Sequence, residues 1–361
     1  MDPCGGEDPR PETLADLGEW ELIRRLGAFA PEHQFSDDAA VVAPAPPGSG
    51  ELVINTDVLV EGIHFSDATT GAADVGWRAA AANLSDLAAM GCTEVVGVTV
   101  GLVAPPSTPW AWVEGVYRGI EEVLAAHGGV LLGGDCSSGA QRLLAITALG
   151  RLPGEASGAG AIRRGDGRPG DSLVSTGPHG FSRLGLALLQ GELDPAWGET
   201  LDPTLRGRAI EAHRRPRPRL DVMGALAATR PAGTPWRVGG CDSSDGLGAA
   251  VAAVAAASRC SARLERDALP LEDALAAHPD GEAWCLGGGE DFELILALPP
   301  TWAAALVAAL PGGRRIGRLE SSADWGRLEW ADGEGGLESE AAGFRHFSRV
   351  PERQQHEALP P

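Results

Sequence analysis

The stretch NLSDLAAMG, Asn83 to Gly91, reads as the end of a buried helix that carries an aspartate among leucines, alanines and a methionine. An ionised carboxylate in apolar surroundings is costly unless something cationic pairs with it. A fold built round such a helix has to bring that partner from elsewhere, because the chain has no lysine and no arginine lies within the stretch. The candidates are a distant arginine, a helix end or a metal ion. At about 100° per residue, Asn83 and Asp86 fall on nearly the same face and Trp77 lies about 180° from Asp86. The helix therefore aims an amide and a carboxylate at one place, with a tryptophan packing outward.

Length and charge narrow the fold and the chemistry. With 361 residues the chain exceeds one ordinary core, so two domains are the default. A net charge of −21 leaves no basic face for nucleic acid. An acidic chain still binds phosphates if its carboxylates first collect divalent cations. No apolar run approaches the roughly 20 residues of a membrane span, and the acidic, Pro/Gly-rich N-terminus does not read as a leader peptide. The 6 cysteines contain no CxxC pair, which points to a reduced, cytoplasmic protein without a structural zinc site.

Helical periodicity is expected over 17–28, 74–91, 109–127 and 181–190, and after the CDSSDG turn. Strands are expected at 51–57, 95–102, 130–135, 143–150, from 172, at 292–299 and at 314–319. The alternation implies an α/β or α+β fold. The Gly/Pro-rich stretch 153–171 is the boundary candidate. It divides an N-terminal domain, 12–152, from a C-terminal one, 153–349, with disordered ends at 1–11 and 350–361. The basic, Pro-broken segment HRRPRPRL, 213–220, reads as solvated.

The other acids sit where apolar strands end or small residues turn: Asp37 and Asp38 in SDDAA, Asp57 in NTD, and Asp135 in GGD. Asp242 and Asp245 follow in CDSSDG, and Glu290 and Asp291 in GGGED. Taken singly, each is more economically a turn former or a helix cap. The set changes the balance. Small neighbours let backbone and ligands approach closely, and magnesium typically takes a few carboxylates plus substrate phosphates. The spacing does not match an EF-hand, whose loop needs acids at alternate positions and a closing Glu.

The motifs SDDAA, NTDVLVEGIHF, NLSDLAAMG, LLGGD, RRGDGRPGD, CDSSDGLG, LGGGEDFEL and GFRHF occur in this order. Together they resemble the thiamine-monophosphate kinase family, of the superfamily that also holds aminoimidazole ribonucleotide synthetase and selenophosphate synthetase. The resemblance runs from about residue 18 to 347. It implies a two-domain synthetase-like architecture: an N-terminal domain that dimerises through its sheet and a C-terminal α/β domain, with nucleotide and metals between them. The implied reaction is direct in-line transfer from ATP to thiamine monophosphate, giving thiamine diphosphate.

Residue by residue, the resemblance makes Asp38, Asp57, Asp86, Asp135, Asp242 and Asp245 look like magnesium ligands, with Thr56 adding an oxygen and Asp37 in support. Gly134, Asp135, Ser244 and Arg164 resemble nucleotide contacts, Arg164 from a mobile linker. His64 and Glu290 look like substrate contacts. Ser36 stands where the family usually has Gly, and Ala341 stands where some relatives place a Trp against the thiamine. No general base is expected, since a phosphate acceptor is largely ionised near neutral pH. Two rival readings are another enzyme of the superfamily and a non-catalytic metal or nucleotide sensor. Selenophosphate synthetase needs a lysine near its N-terminal glycine-rich stretch, which this chain does not have.

Overall fold

Alternation along LVINTDVLV sends Val53, Asn55, Asp57 and Leu59 to one side of a strand and Leu52, Ile54, Thr56 and Val58 to the other. In the computed structural model, which describes residues 10–32, 45–194, 197–198, 201–333 and 336–337, this strand is β1, Leu52–Val60. It forms an edge of a four-stranded sheet of order β1-β4-β2-β3, with β2 Glu94–Ala104, β3 Val130–Ser138 and β4 Leu143–Arg151. Helix α1, Leu14–Leu26, precedes the sheet; α2, Ala72–Ala89, and α3, Trp110–His127, contribute with it to one core.

The helix expected at 74–91 is α2. It is buried almost all round from Val75 to Ala89, as an apolar helix between two layers has to be. Its N-terminal half packs on α3 by bare backbone approach: a Cβ on Gly76 would stand 1.8 Å from the Val116 carbonyl oxygen. Its last residues, Ala88 and Ala89, enter a core of the second half together with Ile162, Val222, Met223 and Leu226. Thus α2 touches both halves.

The second half forms a seven-stranded sheet of order β11-β10-β7-β9-β5-β8-β6. Its strands are β5 Ser172–Ser175, β6 Gly239–Asp242, β7 Cys260–Leu264, β8 Leu294–Leu298, β9 Arg314–Ser321, β10 Leu328–Trp330 and β11 Gly336–Leu337. The helices here are α4 Phe181–Gln190, α5 Pro203–Arg214, α6 Val222–Thr229, α7 Leu247–Ala257, α8 Asp273–Ala276, α9 Gly281–Gly287 and α10 Pro300–Ala309. Helix α4 has the expected bounds. This is a two-domain α/β architecture.

Several expectations need correction. Asp57 and Asp135 do not end their strands; β1 runs on to Val60 and β3 to Ser138. Asp242 closes β6 rather than opening a helix. HRRPRPRL is not a solvated segment: His213 and Arg214 end α5, and Pro216, Pro218 and Arg219 are buried. The ends expected to be disordered, 1–11 and 350–361, lie outside the described residues except for Arg10 and Pro11, and Arg10 pairs with Asp16 at 2.6 Å. Among the described residues no helix is long and apolar enough to cross a membrane.

Candidate active site

Three of the expected acids meet where α2 lies between the sheets: Asp57 from β1, Asp86 from α2 and Asp242 from β6. Asn83 and Asn55 set the first two. Asn83 Oδ1 accepts from the Asp57 backbone N–H at 3.1 Å and from Asn55 Nδ2 at 3.1 Å, while Asn83 Nδ2 donates to the Ala79 carbonyl at 2.9 Å. Asn55 Nδ2 also donates to Asp86 Oδ2 at 2.8 Å. Asn55 and Asp57 share a face because they are two apart on a strand, and Asn83 and Asp86 share one because they are three apart on a helix. Ser85 Oγ then donates to Asp242 Oδ2 at 2.8 Å, tying α2 to the second sheet.

Burial raises the proton affinity of all three carboxyls, and the charge of Asp86 adds to that of the other two. Burial, then the charge of Asp86, pushes Asp57 up to about 6. Burial and then Asp86 push Asp242 up to about 7; Asp57 adds to this, while the Ser85 bond and Arg164 oppose it. Burial raises Asp86 as well, against the Asn55 bond and the charge of Arg164. Arg164 is thus a cation near the cluster, in a segment bonded to the second sheet. It begins a 3-10 turn, Arg164–Asp166. Arg163 next to it pairs with β6, its N–H donating to Val238 O at 3.3 Å and its carbonyl accepting from Gly240 N–H at 3.2 Å. The Arg164 carbonyl accepts from Ser258 Oγ at 2.9 Å.

This donor set suits a hard divalent cation: its acids are all oxygen donors, and burial disfavours their charge until a cation arrives. Among the described residues no three His, Cys, Asp or Glu side chains stand close enough to enclose an ion by themselves.

Other expected residues fall elsewhere. Asp135 is in register with Gly101, Ala145 and, across the sheet, Val58. It therefore lies on the face opposite Asp57, at the far edge, three strand spacings or ~14 Å away. Thr56 is on that outer face too, its Oγ1 2.7 Å from Thr147 Oγ1. Gly134 precedes Asp135 on β3, so close to β2 that a Cβ would stand 2.0 Å from the Val100 carbonyl. Ser244 and Asp245 are exposed in the turn after Asp242. Asp291 is no ligand of the cluster. It caps α4, accepting from Gly180 N–H at 2.7 Å and Ser182 N–H at 3.0 Å, and burial pushes it up to about 7. Ser36, Asp37, Asp38, Ala341 and GFRHF lie outside the described residues.

His64 and Glu290 do come together, through a residue the sequence reading missed. Arg78 Nη2 donates to Glu290 Oε1 at 2.5 Å and to the His64 carbonyl at 3.3 Å. His64 Nδ1 accepts from Val60 N–H at 3.0 Å, so the neutral ring carries its proton on Nε2. Burial alone would raise the Glu290 carboxyl, but Arg78 and His213 outweigh it and hold it below the ordinary value. Burial first, then Arg78, pushes His213 down to about 4. Arg78 was findable: a charged residue in an Ala-rich helix poses the same question as Asp86.

The comparisons with known proteins agree with the two-domain architecture. The family model for AIR synthase related protein, N-terminal domain, matches residues 36–152, and that for the C-terminal domain matches 168–323. A thiamine-monophosphate kinase of Prochlorococcus marinus is 43% identical over 94% of this chain and 99% of its own length. Among solved structures, thiamine-monophosphate kinase from Stenotrophomonas maltophilia K279a is 29% identical, covers 88% of this chain and 98% of its own, and superposes with a TM-score of 0.69. AaThiL complexed with AMPPCP and TMP is 26% identical, covers 94% and 100%, and has a TM-score of 0.68. An acid cluster joining two domains of this pattern, in a chain so matched along its length, leaves one assignment: the chain belongs to the thiamine-monophosphate kinase family of phosphotransferases.

Proposed function

We propose that the protein transfers the γ-phosphoryl group of ATP directly to the phosphate of thiamine monophosphate, giving ADP and thiamine diphosphate, with several magnesium ions. The observation that carries this reading is the convergence of Asp57, Asp86 and Asp242 from both halves of the chain beside Arg164. The names of the relatives, and the nucleotide analogue and TMP in the AaThiL complex, support it.

The reaction brings two anions together, so its needs are positioning and charge neutralisation rather than covalent help. Magnesium, when bound, would screen the two phosphates from each other and stabilise charge on the transferred group. Asp57, Asp86 and Asp242 would hold it, with Asp37, Asp38 and Asp245 as further proposed ligands. Arg164 would sit on the nucleotide phosphates with the Ser244 turn alongside. His64 and Glu290 would orient the acceptor, and a ring other than residue 341 would meet its aromatic part. The acceptor oxygen is already ionised near neutral pH, so no side chain has to remove a proton.

Gly134 belongs to this scheme beside Asp135 on β3, on the inner face. Thr56 and Asp135 belong to it through a second copy of the chain. Their face of the first sheet exposes Leu52 at 50%, Ile54 at 65% and Val58 at 43%, an apolar surface suited to pairing with its like. A homodimer closed over that face would bury it and enclose Thr56 and Asp135. We place the enzyme in a reduced, cytoplasmic setting, for which the buried free thiols of Cys92, Cys241, Cys260 and Cys285 are the support. The deciding assay incubates the protein with ATP, magnesium and thiamine monophosphate and scores thiamine diphosphate. Nucleotide binding without that product would favour the sensor reading and reject this one.

A further inference from the structure

We infer that Arg78 is a positioning residue: its guanidinium fixes the separation of His64 and Glu290 across the interdomain cleft, and the segment from His213 to Arg219 is the brace that holds Arg78 in place. The inference rests on the reading above in taking His64 and Glu290 as the contacts to the acceptor.

Arg78 is 3% exposed. Its two terminal nitrogens reach three separate segments: Nη2 serves the His64 carbonyl and Glu290 Oε1, and Nη1 donates to the His213 carbonyl. The first partner belongs to the first domain, the other two to the second. A planar fork with donors at fixed angles can set the distance between such partners, whereas an ammonium on a flexible stem cannot. Glu290 is itself held in the left-handed region, φ 58°, by its N–H bond to the Ser244 carbonyl at 2.7 Å. Its backbone is therefore fixed, and Arg78 fixes its carboxylate. That carboxylate keeps Oε2 turned towards His213, 3.8 Å from Nδ1. An ionised acid so placed fits an acceptor with a cationic or amine-bearing heterocycle.

The brace explains why a buried arginine stays put. Arg214 Nε donates to the Thr69 carbonyl at 2.8 Å. Arg215 pairs with Asp74 and Glu122, each at 2.6 Å, and lies over the Trp77 ring at 5.3 Å. Trp77 Nε1 donates to the Pro216 carbonyl at 2.8 Å. At its far end Arg219 bonds Glu293 and Asp221. Prolines at 216 and 218 forbid helix continuation and keep the segment extended with its carbonyls available. One strap of the second domain is thus fastened to α3 and to the turn of α2 just before Arg78.

The test compares wild type, R78Q, R78K and R215A by steady-state kinetics and by hydrogen exchange of residues 60–70 and 287–293. In R78Q the KM for thiamine monophosphate should rise about 10-fold or more while the KM for ATP changes less than ~2-fold, with R78K intermediate. In R215A, a surface change that leaves the core intact, the same KM should rise about 3-fold. Both segments should exchange faster in R78Q and R215A than in wild type. Equal rises in both KM values, or acceleration confined to one segment, would overturn the inference, as would no change in a folded R78Q. If R78Q fails to fold, R215A decides on the same two readouts. If the wild type does not turn over thiamine monophosphate, the functional reading fails, and the paired exchange response still decides whether Arg78 and its brace join the two loops.

Discussion

Asn55 Nδ2 stands 2.8 Å from Asp86 Oδ2 and 3.1 Å from Asn83 Oδ1, so one amide joins the edge strand of the first sheet to two polar residues of the buried helix. It is the side-chain hydrogen bond that holds the Asp86 carboxylate. D86N should lower turnover at least ~100-fold, since it removes a charge the transferred phosphoryl group depends on. N55A should leave more of kcat and raise the apparent magnesium constant severalfold, because Asp86 loses its orienting donor. A magnesium titration of turnover checks both. Equal magnesium constants in wild type and N55A would remove Asn55 from the site.

Arg164 is exposed yet electrostatically coupled to Asp86 and Asp242. In a chain without lysine it is a cation available for a nucleotide phosphate. R164A should raise the KM for ATP about 10-fold with a smaller effect on the KM for thiamine monophosphate. Initial rates at varied ATP measure this, and unchanged nucleotide kinetics would exclude the role.

Much of the site is visible in the sequence where local geometry alone decides it. Asn83 and Asp86 share a helix face at any tertiary context, and Asn55 and Asp57 share a strand face. Asp135 is different. Its glycines suggest a strand end, but β3 continues in register with β2 to Ser138 past an irregularity between Val98 and Thr99. Which face it occupies follows from that pairing, and no single-strand pattern contains it. Arg78 and Glu290 are 212 positions apart, a pairing that only the packed domains create. HRRPRPRL misleads for a related reason: charge and proline suggest water, but Arg214 and Arg215 meet a carbonyl and acids of the other domain, and Arg219 meets acids of its own.

The close crossing of α2 and α3 positions the Asn83–Asp86 turn. A Cβ at Gly76 would strike the Val116 carbonyl at 1.8 Å, a backbone atom that cannot swing aside. G76A should therefore destabilise the protein by about 2 kcal/mol or more through overpacking. Gly207 on α5 provides the control: nothing lies within 4 Å of its Cβ position, so G207A should stabilise by roughly 0.5–1 kcal/mol. Urea unfolding separates the two, and equal midpoints would contradict the close-contact argument.

His179 is fully buried, its Nε2 2.9 Å from Ser243 Oγ, and burial pushes it down to about 4. Its folded value lies below its unfolded value near 6.5. Its contribution to stability is therefore complete above pH ~6.5 and is lost as pH falls through 4. The raised carboxyls Asp57, Asp242 and Asp291 act in the opposite sense, gaining protons on the folded protein as pH falls. The measurable quantity is thus a difference. Relative to H179Q, wild type should lose up to ~3 kcal/mol between pH 7 and pH 4. Parallel stability curves for the two proteins would show that His179 does not titrate with unfolding.

The outer face of the first sheet carries both an apolar surface and two residues proposed for the reaction, Thr56 and Asp135. Assembly and activity should then fail together. I54E puts a charge among the exposed apolar residues of that face, at a residue 65% exposed in the single chain, so the folded monomer tolerates it while a paired sheet does not. Wild type should sediment at twice the chain mass and I54E at the chain mass, with an unchanged melting profile for the monomer's own transition. Turnover in I54E should drop in proportion to the dimer lost and recover as protein concentration is raised. A wild-type protein that is active as a monomer at every concentration would separate the two properties and return Thr56 and Asp135 to a role within one chain.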